Sequence, residues 1–206
     1  MNKKLDEKAQ EILTFWFGEL TDGLANKQKQ RLWYGASEQV DADIRERFGD
    51  TLLAVAKGNY QHWAQSPQGR LALILLFDQF SRNIYRGQAE AFAFDHLGLR
   101  LCQEGLSLGH DQLLQHTEKL FFYHPLEHAE DLGCQQQAVE LFKALAAEAP
   151  DEPRRQSAES ALKFVEEHRD IIAQFGRFPH RNAVLGRASN EAELRYLESG
   201  GKRFGQ

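Results

Sequence analysis

The chain has 206 residues with a formal net charge of -5, and 42% of its residues are apolar. That length suits one domain or two small ones, and the apolar share is enough for a packed core, so wholesale disorder is excluded. The acidic balance argues against a non-specific nucleic-acid binder, which would be basic.

The two cysteines, Cys102 and Cys134, are far apart and form no CxxC pattern, so a reduced chain without a cysteine metal site is expected. The N-terminus, Met1-Asn-Lys-Lys-Leu-Asp-Glu-Lys8, has no apolar signal core. The longest apolar run, Leu71 to Phe77, is far too short to span a bilayer. A cytoplasmic protein with no membrane and no nucleic-acid partner is expected.

In chain order, Leu5, Ala9, Ile12, Leu13, Trp16 and Phe17 predict an amphipathic helix over 5–17, ended by Gly18. Residues 21–36 read as polar, with a short turn that docks Trp33 and Tyr34. Ser37 caps a helix to about Lys57, with Val40, Ile44, Phe48, Leu52 and Val55 on its core side. A short helical piece over 59–65 precedes Ser66-Pro67, a good helix start. The helix over 68–86 is the most apolar, hydrophobic all round at Leu71 to Phe77, and is expected at the centre. A helix over 89–104 closes at Gly105. Then come a connector over 110–116, a short turn over 117–123, and a helix from Leu126 to about Glu148 started by Pro125. Two prolines make 150–156 a loop. A long helix over 157–175 follows, and Ser189 or Asn190 caps a last helix ending at Gly200-Gly201.

No segment alternates with period two, and valine and threonine are scarce. The fold class is therefore all-α: about eight helices in antiparallel pairs within a single domain over 1–206. Ala138, Phe142 and Pro150 resemble the second helix of a tetratricopeptide repeat, which makes a tetratricopeptide-like superhelical bundle a fair architecture.

Three constellations could carry chemistry. On the central helix, Asp78, Arg82 and Arg86 fall at i, i+4 and i+8, with Gln79 and Asn83 beside them. A buried guanidinium needs a carboxylate or an anionic ligand, and Asp78 one turn from Arg82 makes an internal ion pair the simpler reading. The second, His124-Pro-Leu-Glu-His128, matches H-x-x-E-H, in which two histidines one turn apart bind zinc. Pro125 as first helical residue would leave His124 outside the helix, so no metal is expected there.

The third is Gln174 to Arg187, which packs Arg177, Arg181 and Arg187 with His180, Asn182, two glycines and Pro179 into fourteen residues. From His168 to Arg187 the local charge is +3; from Glu118 to Glu140 it is -4. The segments could dock, with Arg177 or Arg181 meeting Glu127 or Asp131 through bidentate pairs. Alternatively, surplus arginines meet a ligand anion, helped by a short helix beginning at Asn182. No P-loop, Rossmann glycine pattern, G-x-S-x-G or EF-hand loop is present, and no cofactor is expected.

Phe15-Trp-Phe-Gly18, Leu71 to Gly87, Phe121 to Asp131 and Arg177 to Arg187 together resemble the largely bacterial "domain of unknown function 924" family, over nearly the whole chain. Three residues depart from the family pattern: Ser81 for proline, His124 for an aliphatic residue and Asn190 for threonine. The resemblance implies an all-helical, tetratricopeptide-like fold and no assigned activity, and it supplies no catalytic residues.

The expected function is binding of an anionic small molecule or peptide carboxylate in an Arg/His/Asn-lined pocket between helices. Arg82, Asn83, Arg86, Arg177, Arg181 and Asn182 are the expected contacts. His128, His180, Glu127 and Asp131 are the catalytic candidates. Asp78, Gln79 and Glu130 are expected to form a structural polar network. The first alternative is a structural or interaction module whose polar motifs only pair with one another. The second, a metal-dependent hydrolase, requires His124, His128 and an acid around one point.

Overall fold

The computed structural model describes residues 5–35 and 37–204, and their regular structure is helical, with a single isolated bridge between Thr21 and Leu24. Part of the N-terminal signal reading falls on residues 1–4 and so lies outside the described residues. α1 (Glu7–Phe17) buries the predicted stripe, Ala9, Ile12, Leu13, Trp16 and Phe17, and is capped by Asp6, whose carboxylate accepts from the Lys8 N–H at 2.9 Å. α2 (Lys27–Tyr34) occupies a stretch that reads as polar, started by an Asn26 cap. Trp33 docks, its indole N–H donating to the Trp16 carbonyl at 3.0 Å, whereas Tyr34 stays exposed. α3 (Glu38–Ala56) starts at its Ser37 cap and buries Ile44, Phe48, Leu52 and Val55.

The expected central helix is three pieces: α4 (Pro67–Ile74), a π-helical turn Leu75–Phe80, and α5 (Ser81–Ile84). Leu71 to Phe77 are all buried, with α1, α3, α6 and α7 packed round this rod. The next helix begins later than predicted, after a 3-10 turn at Ala89–Phe92, as α6 (Asp95–Ser107). Gly105 lies inside α6 rather than ending it. A Cβ there would sit 2.5 Å from Phe122 Cζ and 2.6 Å from Arg70 Cδ, so the glycine permits close packing.

Pro125 does not start a helix. α7 (His116–Glu127) begins at a Gln115/Glu118 capping box and carries Pro125 within its last turns. An interior proline costs about 3 kcal/mol or more in an isolated helix. Here Leu120 to Tyr123, Pro125 and Leu126 are all buried, and that packing outweighs the lost hydrogen bond. α8 (Leu132–Ala147) starts afresh at Asp131, which accepts from the Cys134 N–H at 2.8 Å. α9 (Glu152–Phe175), capped by Asp151, starts five residues before its expected start at 157. It takes Pro153 into its first turn, where the missing N–H is not needed. α8 and α9 pack along their lengths, and Ala138 and Phe142 are fully buried.

Gly176 ends α9 in the left-handed region, at φ 69°. Beyond it lie a 3-10 turn at Pro179–Arg181 and further turns, and no helix begins at Asn182. α10 (Glu191–Glu198) is started by an Asn190/Glu193 capping box. No helix among the described residues is long and apolar enough to cross a membrane. Trp16, Trp33 and Phe121 form an aromatic knot, with Phe80 of the π-turn against Trp16. Fully burying a phenylalanine such as Phe80 or Phe121 is worth roughly 1.5–3 kcal/mol, and the knot ties α1, α2 and α7 to the π-turn.

Candidate functional site

Asp78 leaves the π-turn almost fully buried and meets three partners. Its Oδ1 lies 2.7 Å from His128 Nδ1 and 3.4 Å from Arg82 Nη1, and its Oδ2 accepts from Gln79 Nε2 at 2.7 Å. The same Gln79 nitrogen is 3.1 Å from His124 Nδ1. Since the amide nitrogen donates, His124 Nδ1 accepts and its proton sits on Nε2, which faces Glu127 Oε2 at 3.8 Å. Glu127 Oε1 is 3.0 Å from His168 Nδ1, and that nitrogen also lies 2.8 Å from the Phe164 carbonyl one turn back in α9. A carboxyl group and three imidazoles thus converge from the end of α7 and the C-terminal half of α9, with Asp78 of the π-turn behind His128.

These groups line a cavity of about 530 Å³. Leu32, Trp33 and Tyr34 bound it from α2, Ala161 and Phe164 from α9, and Phe204 from the C-terminal segment; Gln79, Arg82, Asn83 and Arg86 bound it from the central rod. Phe204 stacks on His168, ring centroids 3.6 Å apart. Burial dominates the electrostatics. It pushes the Glu127 carboxyl up to about 8, with Asp78 adding to the rise. It pushes His124 down to about 3 and His168 well below the ordinary histidine value. His128 is lowered by burial despite Asp78 beside it. For Asp78 burial acts upward, but the His128 and Arg82 charges outweigh it and hold the carboxyl well below the usual range. The result is a polar floor under an aromatic wall.

The predicted ligand contacts divide. Arg82, Asn83 and Arg86 reach the cavity; Arg177, Arg181 and Asn182 are not among its lining residues. All four of these arginines have carboxylate partners. Arg82 binds Asp95 bidentately at 2.9 and 3.0 Å, and Arg86 binds Asp41 at 2.6 and 2.9 Å. Asn83 donates to the same Asp41 at 2.8 Å. Arg177 binds the fully buried Glu193 at 2.6 and 2.8 Å. Arg181 is buried between the Phe92 and Phe178 rings, donates to the His128 carbonyl at 3.1 Å and lies 3.8 Å from Asp95. The Arg82-Asn83 and Arg181-Asn182 segments therefore meet at Asp95 and do not share one cavity.

The acidic and arginine-rich segments do dock, through pairs other than those expected. Glu130 accepts from Arg187 at 2.5 and 2.9 Å and from the Phe178 N–H at 2.8 Å. Glu130 thus takes its network role, while Asp131 is spent on capping α8. Glu127 and His128 are in the site. His180 is not; its ring lies 5.6 Å from Phe178 and 5.8 Å from Phe204. His124, placed outside its helix by the proline reading, stands inside α7 at the cavity. The residues not singled out from sequence are Asp41, Asp95, Glu193 and His168. Of these, His168 had a signal: with Ala161, Val165 and Ile172 it follows the buried stripe of α9, and a polar residue on such a stripe needs a partner.

The chain matches the family model described as "Bacterial protein of unknown function (DUF924)" over residues 12–201. Among solved structures it is similar to a protein of unknown function, ATU0120 from Agrobacterium tumefaciens. The identity is 36%, the match covers 93% of this chain and 97% of that chain, and the TM-score is 0.76. No curated protein matches.

Proposed function

The chain belongs to this bacterial family of unassigned function, and we propose that it binds a small organic molecule in the cavity and acts on it at the Glu127–His128–His168 floor. One observation carries the reading: the carboxyl and imidazole groups converge on a cavity with an aromatic wall, the usual make-up of a small-molecule site. The apolar part of the ligand lies against Trp33, Phe164 and Phe204. Its acceptor-rich part, a carboxylate or phosphate ester, meets Arg82, Asn83 and Arg86. Their carboxylate partners fix these guanidiniums in place and temper the demand for full negative charge. The pairing of Arg177, Arg181 and Arg187 favours the network reading for the C-terminal stretch, which supports α9 and α10 and contributes no ligand contact.

The test is a thermal-shift panel of phosphates, nucleotides, dicarboxylates and short peptides on wild type and on Ala161→Trp, which fills the cavity. A ligand at about a hundred times its Kd adds about 2.7 kcal/mol, a rise of roughly 5–10 °C for a chain of this size. The expected result is a hit in wild type that is lost in Ala161→Trp. A panel without hits, or hits that survive the filling, sinks the proposal.

A further inference from the structure

We propose that Glu127, His128 and His168 bind a divalent transition-metal ion of the zinc type, with the cavity giving access to its open coordination position. The proposal deepens the pocket reading and rests on it only for what occupies that open position.

A donor atom from each of the three residues lies within 4.8 Å of the others. Ligand distances for zinc are about 2.0–2.2 Å, so side-chain shifts of about an ångström close the three onto one ion. The surroundings already orient both imidazoles. His128 Nδ1 is held by the Asp78 carboxylate at 2.7 Å, and His168 Nδ1 by the Phe164 carbonyl at 2.8 Å. Both acceptors place the proton on Nδ1 and leave the Nε2 lone pair to donate; for His168, whose Nδ1 also lies 3.0 Å from Glu127 Oε1, the Glu127 carboxylate turns from that nitrogen to meet an ion at Nε2. A carboxylate or carbonyl behind the ring is the usual support of a metal-bound histidine.

His124 is oriented the opposite way. Gln79 Nε2 donates to its Nδ1 at 3.1 Å, and the direction of that amide is fixed because the same nitrogen donates to Asp78. The His124 proton therefore sits on Nε2, toward Glu127 Oε2. His124 supports Glu127 and is not a ligand. The H-x-x-E-H segment contributes its adjacent Glu-His pair, and α9 supplies the second histidine.

Two imidazoles and one carboxylate, with no thiolate, suit zinc, cobalt, iron(II) or manganese. Three protein ligands beside a cavity match a site that keeps a position for water or substrate.

Cobalt(II) is the probe. Chelator-treated protein is titrated with it, and its visible absorption reports both stoichiometry and coordination; zinc then displaces it. About one equivalent should bind with a low-coordinate spectrum. His168→Gln and Glu127→Gln should lose that spectrum, and Asp78→Asn should weaken binding about 10–100-fold. His124→Gln should keep the stoichiometry and the spectrum of the ligand set, with binding weakened no more than in Asp78→Asn. Far-UV circular dichroism confirms that each variant is folded, and a misfolded glutamine variant is replaced by His168→Asn or Glu127→Ala. Absence of stoichiometric cobalt or zinc binding overturns the site. So does equal binding by wild type and His168→Gln, or loss in His124→Gln with retention in His168→Gln. A metabolite that binds the metal-free protein and is displaced by Ala161→Trp would leave the pocket standing whatever the metal result.

Discussion

Replacing Asp95 with alanine tests what holds the two most buried arginines of the site. The carboxylate takes both hydrogen bonds of a bidentate pair from Arg82 and lies 3.8 Å from Arg181 Nη1. The Arg82 and Arg181 side chains are only 11% and 4% exposed. Removing one partner of a buried pair costs about 3–5 kcal/mol, because the remaining charge is stranded in a poor solvent. Two features place Asp95→Ala at the low end. Asp95 is 24% exposed, so water enters the vacated position, and Arg82 keeps Asp78 at 3.4 Å. A loss of about 3 kcal/mol follows, or roughly 6–12 °C in Tm for a chain of this length. Urea unfolding is the assay, with a lowered midpoint at unchanged slope. Added phosphate should recover part of the loss in the variant by standing in for the carboxylate. A loss below about 1 kcal/mol, the scale of an exposed pair, would refute the reasoning and return these guanidiniums to the pool available for ligand binding.

Two glycines inside helices should respond in opposite directions. Gly49→Ala in α3 meets nothing within 4 Å and should stabilise by about 1 kcal/mol through helix propensity. Gly105→Ala gains the same propensity but presses on fully buried Phe122 and on Arg70, at an overpacking cost of about 1–3 kcal/mol; urea unfolding should show a net loss, and equal gains would mean that the neighbours yield. In acid, Glu193 should mark the stability curve. Its hydrogen bonds from Arg177 outweigh burial and hold its carboxyl down to about 2, from an ordinary 4.5. Its contribution is therefore complete above the unfolded-state value and disappears as pH falls from there toward about 2. Glu193→Gln should flatten that limb in pH-dependent urea unfolding, and an unchanged limb would show that the pair contributes nothing.

The helices with clean stripes and strong caps were legible in the sequence: α1, α3 with Ser37, the start at Ser66-Pro67, and α10 with Asn190. The misplaced boundaries share a cause. Gly105 and Pro125 are local breakers whose tertiary surroundings overrule them, one because Phe122 and Arg70 press against the helix, the other because the residues round it are buried. Within the site, Glu127 and His128 were legible because they share a motif. Their partners were not, since Asp78 arrives from 50 residues upstream and His168 lies 40 residues downstream on another helix. The arginines read as surplus cations because their carboxylates, Asp41, Asp95 and Glu193, all stand in the first turns of helices. Acids there have a sufficient local explanation in the helix dipole, which hides their second role.

The stripe Asp78–Arg82–Arg86 is one face only in part: Asp78 and Arg82 stay paired one turn apart at 3.4 Å, while α5 ends at Ile84, before Arg86. An unbroken α-helix would present the three side chains in a row. Instead Asp78 meets His128 beyond α7, Arg82 meets Asp95 at the start of α6, and Arg86 meets Asp41 in α3. The π-turn at Leu75–Phe80 disturbs the α-helical ladder, and at its end the Ser81 hydroxyl donates to the Phe77 carbonyl at 2.6 Å. Such turns are rare and cluster at functional sites. Here the π-turn carries Asp78, the buried carboxylate behind His128, and Gln79, which donates to His124, and the arginine pairs on either side brace it.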